Sequence, residues 1–119
     1  MRWLLHGTLT PAVKDALVRH GHVASTPTDL QIESSDPDEA LKQAHSRQLD
    51  VITADSNLAN APFERGVNFG RTIVFLQLLG GDVEQDDAID RLFERYKRLS
   101  PGRLYTVTAT RVKVRQLPR

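Results

Sequence analysis

Cysteine is missing from all 119 positions, which excludes both a disulfide framework and a thiolate metal site. Long apolar runs are missing as well: none approaches the roughly 18 residues that a membrane-spanning helix needs. Met1 to Leu5 is a short apolar piece broken at once by His6, Gly7 and Thr8, so the pattern of a secretory signal is not there. These absences set the expectation of a cytoplasmic protein with no membrane partner. Nor does one sign of charge dominate. Sixteen Lys and Arg stand against fifteen Asp and Glu, and the formal net charge of +1 exerts no global pull on nucleic acid. No repeat, low-complexity tract or linker divides the chain, so a single domain over 1–119 is expected.

What is present reads as an ordinary globular sequence, 39% hydrophobic and 26% charged. The charges are unevenly placed. Acidic residues concentrate between Asp82 and Asp90, and the segment from Arg91 to Arg119 is strongly basic. A nucleic-acid contact would therefore need a local patch, although solvated helix ends account for much of the same asymmetry.

Along the chain, Arg2-Trp3-Leu4-Leu5 reads as a short buried strand. Thr10 and Pro11 make a helix start, Thr as cap and Pro in the first turn, where its missing N–H costs nothing. Val13, Ala16 and Leu17 share a helical face, and Gly21 supplies the stop. His22-Val23-Ala24 suggests a second strand, and Thr26 to Ser35 a loop. A second helix starts at Asp36-Pro37-Asp38-Glu39, with Asp36 as cap, Glu39 closing a reciprocal capping box, and Ala40, Leu41 and Ala44 facing inward. Val51-Ile52-Thr53 has the β-branched composition of a strand and ends at Ala54-Asp55.

Ser56 to Asn68, with Pro62 and Gly66, reads as a long mobile connection. It leads to Thr72 to Leu76, an apolar run suited to a central strand covered on both faces. After Gly80-Gly81, the spacing of Ile89, Leu92, Phe93, Tyr96 and Leu99 predicts a helix running to Ser100-Pro101-Gly102, acidic at its start and basic at its end. Leu104, Tyr105 and Val107 suggest a strand. Arg111 to Arg115 then alternates strictly, predicting Val112 and Val114 inward and the three cations outward. The alternation of strands and helices implies an α/β fold: a mainly parallel, three-layer sheet flanked by helices, closed by an antiparallel C-terminal hairpin. Trp3 and Tyr96 are expected in the core, and His20, His22 and His45, which lack metal-ligand spacing, on the surface.

In such sheets ligands bind where the strands' carboxyl ends meet at a topological switch point. Two such ends stand out, Leu5-His6-Gly7-Thr8 and Thr53-Ala54-Asp55-Ser56-Asn57, with the helix start at Asp36 to Glu39 within reach of the same rim. Carboxylates gathered there suit Mg²⁺ or Mn²⁺, hard cations that take oxygen ligands and bridge to phosphates.

The ordered set of segments resembles the PIN-like family of small bacterial proteins related to toxin–antitoxin ribonucleases. That family opens with a strand ending LLDENL, a helix and a Gly-His pair. Leu4-Leu5-His6-Gly7-Thr8-Leu9 and Gly21-His22-Val23 occupy those places. Its acidic helix start, later alanine and strand ending T-x-D correspond to Asp36–Glu39, Ala44 and Thr53-Ala54-Asp55. The closing apolar strand, helix and basic strand before Leu-Pro correspond to Ile73–Leu76 and Arg111–Pro118. The resemblance spans nearly the whole chain and rests on the order of its parts, since T-x-D alone occurs widely.

PIN domains hold a divalent metal on clustered acidic residues and activate water for phosphodiester hydrolysis. The resemblance makes Asp55 the best-matched ligand and Asp36 or Asp38 the helix-start carboxylate, with local spacing that does not choose between them. It makes Asp55, Asp38 and His6 the candidate catalytic set, supported by Thr53, Asn57 and Thr8. Two positions depart from the pattern: His6 stands for the first aspartate and Thr8 for the usual asparagine. A neutral imidazole can bind Mn²⁺ or Zn²⁺ but is a poor Mg²⁺ ligand and brings no negative charge.

Arg65 and Arg71, and the Arg111, Lys113 and Arg115 face, are the candidate phosphate contacts. Each residue also has a plainer role: Asp55 a turn former, Asp36 a cap, Asp38 a dipole partner, His6 a hydrogen-bonded rim histidine. In the same way, loop arginines aid solubility and edge-strand cations block strand pairing. Two functions are expected on these grounds. One is a metal-dependent endoribonuclease acting on RNA with Mg²⁺ or Mn²⁺, the toxin-like half of a pair with a cognate antitoxin. The other is a catalytically silent module binding RNA or a protein partner. A homodimer through the last helix or the closing hairpin is a third, weaker expectation.

Overall fold

The computed structural model describes residues 1–32 and 36–118; Glu33 to Ser35 of the expected loop, and Arg119, lie outside the described residues. The chain runs β1 (Arg2–His6), α1 (Pro11–Arg19), β2 (Val23–Ser25), α2 (Pro37–Ser46), β3 (Asp50–Thr53), α3 (Ser56–Glu64) and β4 (Ile73–Leu76). It continues with α4 (Asp82–Arg95), β5 (Arg103–Val107) and β6 (Val112–Gln116). The strands form one sheet in the order β2-β1-β3-β4-β5-β6, parallel except for β6, which runs antiparallel to β5. This is a doubly wound α/β sheet with an antiparallel edge.

Side-chain alternation explains why the central strands are apolar throughout. Trp3, Leu5, Ile52, Val74 and Tyr105 enter one core with α1 and α4, whereas Leu4, Val51, Ile73 and Leu104 enter the other with α2 and α3. A strand covered on both faces has no position left for a polar residue unless that residue is bonded. No helix among the described residues is long and apolar enough to cross a membrane.

Several local expectations are corrected by tertiary contacts. Ser56 to Asn68 is not a long mobile connection, since α3 occupies most of it. Asp55 caps this helix, its Oδ1 accepting the Asn57 N–H at 2.9 Å, and Gly66, at φ +65°, follows its end. A proline inside a helix costs about 3 kcal/mol. Burial of Leu58, Ala59, Ala61 and Pro62 itself against the sheet offsets that cost.

The last helix stops at Arg95 rather than at Ser100. Tyr96 leaves helical geometry and stacks edge-on against Tyr105 at 5.3 Å, whose hydroxyl accepts the Ser100 N–H at 2.9 Å. Thr10 and Asp36 occupy cap positions without making side-chain capping bonds. The Thr10 N–H donates to Gln85 Oε1 at 3.0 Å, and Glu39 accepts from Gln43 instead of closing a box. Val112 packs partly against the core, but Val114 is 37% exposed because β6 is an edge strand that α4 only partly covers. His22 is half-buried rather than on the surface, since its Nδ1 accepts the Trp3 indole N–H at 3.1 Å.

Candidate functional site

β1 and β3 lie side by side with His6 level with Thr53. Beyond that point β1 leads to α1 on one face and β3 to α3 on the other, which makes their carboxyl ends the switch point of the sheet. Gly7 permits the close approach. Its φ is +81°, and a Cβ there would sit 3.4 Å from the backbone nitrogens of both Ala54 and Asp55.

The side chains at this junction form a short hydrogen-bonded series. Buried His6 places Nδ1 2.9 Å from Thr53 Oγ1, which also accepts the Asp55 N–H at 2.9 Å. Asp55 in turn holds the Asn57 N–H. The Thr53 hydroxyl, with one hydrogen and two lone pairs, serves either neutral tautomer of His6 by donating to Nδ1 or by accepting from it. The T-x-D spacing thus has a mechanical meaning: threonine at the strand's end fixes the amide of the aspartate that starts the next helix.

The start of α2 is organised by Arg65. Its Nε and one terminal nitrogen grip the Asp38 carboxylate at 2.8–3.1 Å, and the same terminal nitrogen donates to the Asn57 carbonyl at 2.7 Å. The hydrogen bonds from Arg65 hold the Asp38 carboxyl below its ordinary range, and the carboxylate that accepts them raises the Arg65 guanidinium. Asp36 also lies within the field of this guanidinium.

The proposed ligands therefore divide. His6, Thr53, Asp55 and Asn57 come together, with exposed Thr8 one residue beyond Gly7, whereas Asp38 joins this rim only through Arg65, which bonds both its carboxylate and the Asn57 carbonyl. Among the described residues no three acidic or histidine side chains are grouped as an ion would require. An imidazole at His6 brings no negative charge, and the Asp38 carboxylate of α2 is already bonded to the Arg65 guanidinium.

The cations divide similarly. Arg71 lies at the opposite end of the sheet, before β4, 3.6 Å from buried Asp50, whose Oδ1 also accepts the Thr72 N–H at 2.9 Å. Arg115 covers the Phe63 ring at 3.7 Å, Lys113 is exposed, and Arg111 lines a groove between α4 and β6. Sequence reasoning missed Gln85, the buried amide that ties the β1–α1 turn to α4 through Thr10. Its signal was a polar residue four places before Ile89 on the apolar stripe.

The class defined by fold and site is a doubly wound α/β domain with a hydrogen-bonded histidine and a capping aspartate at its switch point. Compared with known proteins, the chain matches no family model, no curated protein and no solved structure.

Proposed function

We propose that this chain is a PIN-like module with a silent catalytic rim, which works by holding a partner protein. One observation supports the reading: Arg65 holds Asp38, one of the two candidate helix-start carboxylates, in a bidentate pair, and buried His6 stands where the resemblance puts the first aspartate. A metal-activated water needs negative ligands free to accept the ion; His6 supplies none, and Asp38, one of the two candidates on α2, is held by a guanidinium. Two of the arginines that would have met a phosphate backbone, Arg65 and Arg71, face carboxylates of their own chain instead.

The competing reading is a Mg²⁺- or Mn²⁺-dependent endoribonuclease, toxin-like and paired with an antitoxin. It is favoured by the meeting of Asp55 and His6 at the switch point. The two are separated by incubating purified protein with single-stranded and structured RNA and each cation. The silent reading expects no cleavage by the wild type and no tight calorimetric binding of Mn²⁺. Cleavage that Asp55→Ala abolishes would overturn it. The double change His6→Asp with Arg65→Ala is expected to create Mn²⁺ binding, since it supplies the missing carboxylate and releases Asp38.

A further inference from the structure

The edge of the sheet deepens the reading of this chain as a binding module, and a docking site there rests on that reading. Among the described residues β6 is an outer strand that pairs only with β5. At the two ends of this hairpin, the Thr108 N–H donates to the Arg111 carbonyl and the Leu117 N–H to the Gly102 carbonyl, both at 2.9 Å. Hydrogen-bonded pairs alternate along an antiparallel ladder, so Lys113 and Arg115 turn their backbone groups to β5. Val112, Val114 and Gln116 turn theirs outward. The sheet thus ends in a row of alternating backbone donors and acceptors, with Val114 exposed between them.

Positive charge flanks this row on both faces. Lys113 and Arg115 project on the side of α3, where Arg115 covers Phe63. On the side of α4, a groove of about 430 Å³ is lined by Arg91, Glu94, Arg95, Thr110, Arg111 and Val112. Three guanidinium groups face one carboxylate there. Arg91 donates to the Thr108 carbonyl at 2.6 Å, but its Nε is buried without a hydrogen-bond partner. Among the described residues no ion pair engages Arg91, Arg95 or Arg111, whereas Arg19 and Arg65 are hydrogen-bonded to carboxylates and Arg71 lies 3.6 Å from one, its Nε too being buried without a hydrogen-bond partner. An incoming carboxylate would meet the guanidinium groups that line this groove, where charge-assisted hydrogen bonds are strong.

We propose that the β6 edge and this groove dock an extended acidic segment of a partner protein, which adds a seventh strand beside β6. One of its carboxylates enters between Arg91, Arg95 and Arg111. Backbone chemistry favours a peptide over RNA. The outward N–H and carbonyl groups of β6 recur at strand spacing, which a peptide strand meets in register, whereas the donors of RNA, its 2′-hydroxyls and base N–H groups, do not alternate with acceptors at that spacing. A second copy of β6 is disfavoured, because Lys113 and Arg115, on one face of the strand, would meet their like across the new ladder.

The probe is a synthetic octapeptide of alternating valine and glutamate, titrated into the full chain and followed by amide hydrogen exchange and chemical shifts. Protection of the Val112, Val114 and Gln116 amides is expected, with binding weakened about tenfold or more by Arg91→Gln with Arg111→Gln. The same peptide N-methylated at alternate amides leaves the protein untouched, and it is expected to lose the protection.

Four results would overturn the proposal: no protection at these amides, equal protection by a valine–lysine peptide, protection by oligouridylate but not by peptide, or protection that grows with protein concentration alone. The last two would point to RNA and to self-association respectively. RNA cleavage by the wild type would overturn the silent rim without altering the exchange result, so the two readings fail separately.

Discussion

Thr53 has no exposed surface, yet its hydroxyl meets the His6 ring on one side and the Asp55 amide on the other. Thr53→Val keeps the shape and removes both bonds, leaving buried polar groups unmet. Urea denaturation should show a loss of about 1–3 kcal/mol; an unchanged midpoint would mean that the bonds contribute nothing. Asp55→Ala removes the cap of α3 and should cost about 1 kcal/mol, with Asp55→Asn losing less because an amide oxygen can still accept the Asn57 N–H. At this scale the sequence was legible for Asp55, because T-x-D marks a strand end, but not for Asp38. Its partner Arg65 is 27 residues away, and only packing of α2 beside α3 brings them together.

Among the elements, α4 does more than cover the sheet. Buried Gln85 reaches the β1–α1 turn through the Thr10 amide, so the last helix steadies the loop that follows His6. Gln85→Ala should raise hydrogen exchange at Thr10 well above that of the α1 interior; unchanged protection there would refute the coupling. Leu92, fully buried on the same helix, should cost about 2–5 kcal/mol when cut to Ala, read from denaturant midpoints. Periodicity located α1, α2 and α4, since their apolar spacing is local information. It failed for α3, because Pro62 interrupts the local signal and the helix is held by its buried face and its cap.

For the whole molecule, pH dependence arises at the junction of Trp3, His22 and Phe93. The Trp3 N–H can only donate, so the His22 nitrogen it meets must be unprotonated. Burial first, then the positive charges of the N-terminus and His20, lower the His22 pKa below its ordinary 6.5. With the folded value below the unfolded one, the stabilisation is fully present above about pH 6.5 and is lost as pH falls from there through the folded value. Denaturant midpoints measured between pH 8 and 5 should decline on the acid side, and His22→Gln should flatten that decline. A second loss is expected in more acidic solution, as Asp38 and Asp90, both held below their ordinary value by hydrogen bonds to cationic side chains, take up protons.

Sequence by itself determined the α/β alternation, the apolar central strands, the closing hairpin and His6 and Asp55 at two strand ends, because periodicity and composition act over short stretches. Tertiary structure alone decided that β1 and β3 are neighbours, that Arg65 holds Asp38, and that β6 turns an open edge outward beside unpaired arginines. Those facts depend on which distant segments meet in space, and pairing between distant segments leaves no mark in local spacing.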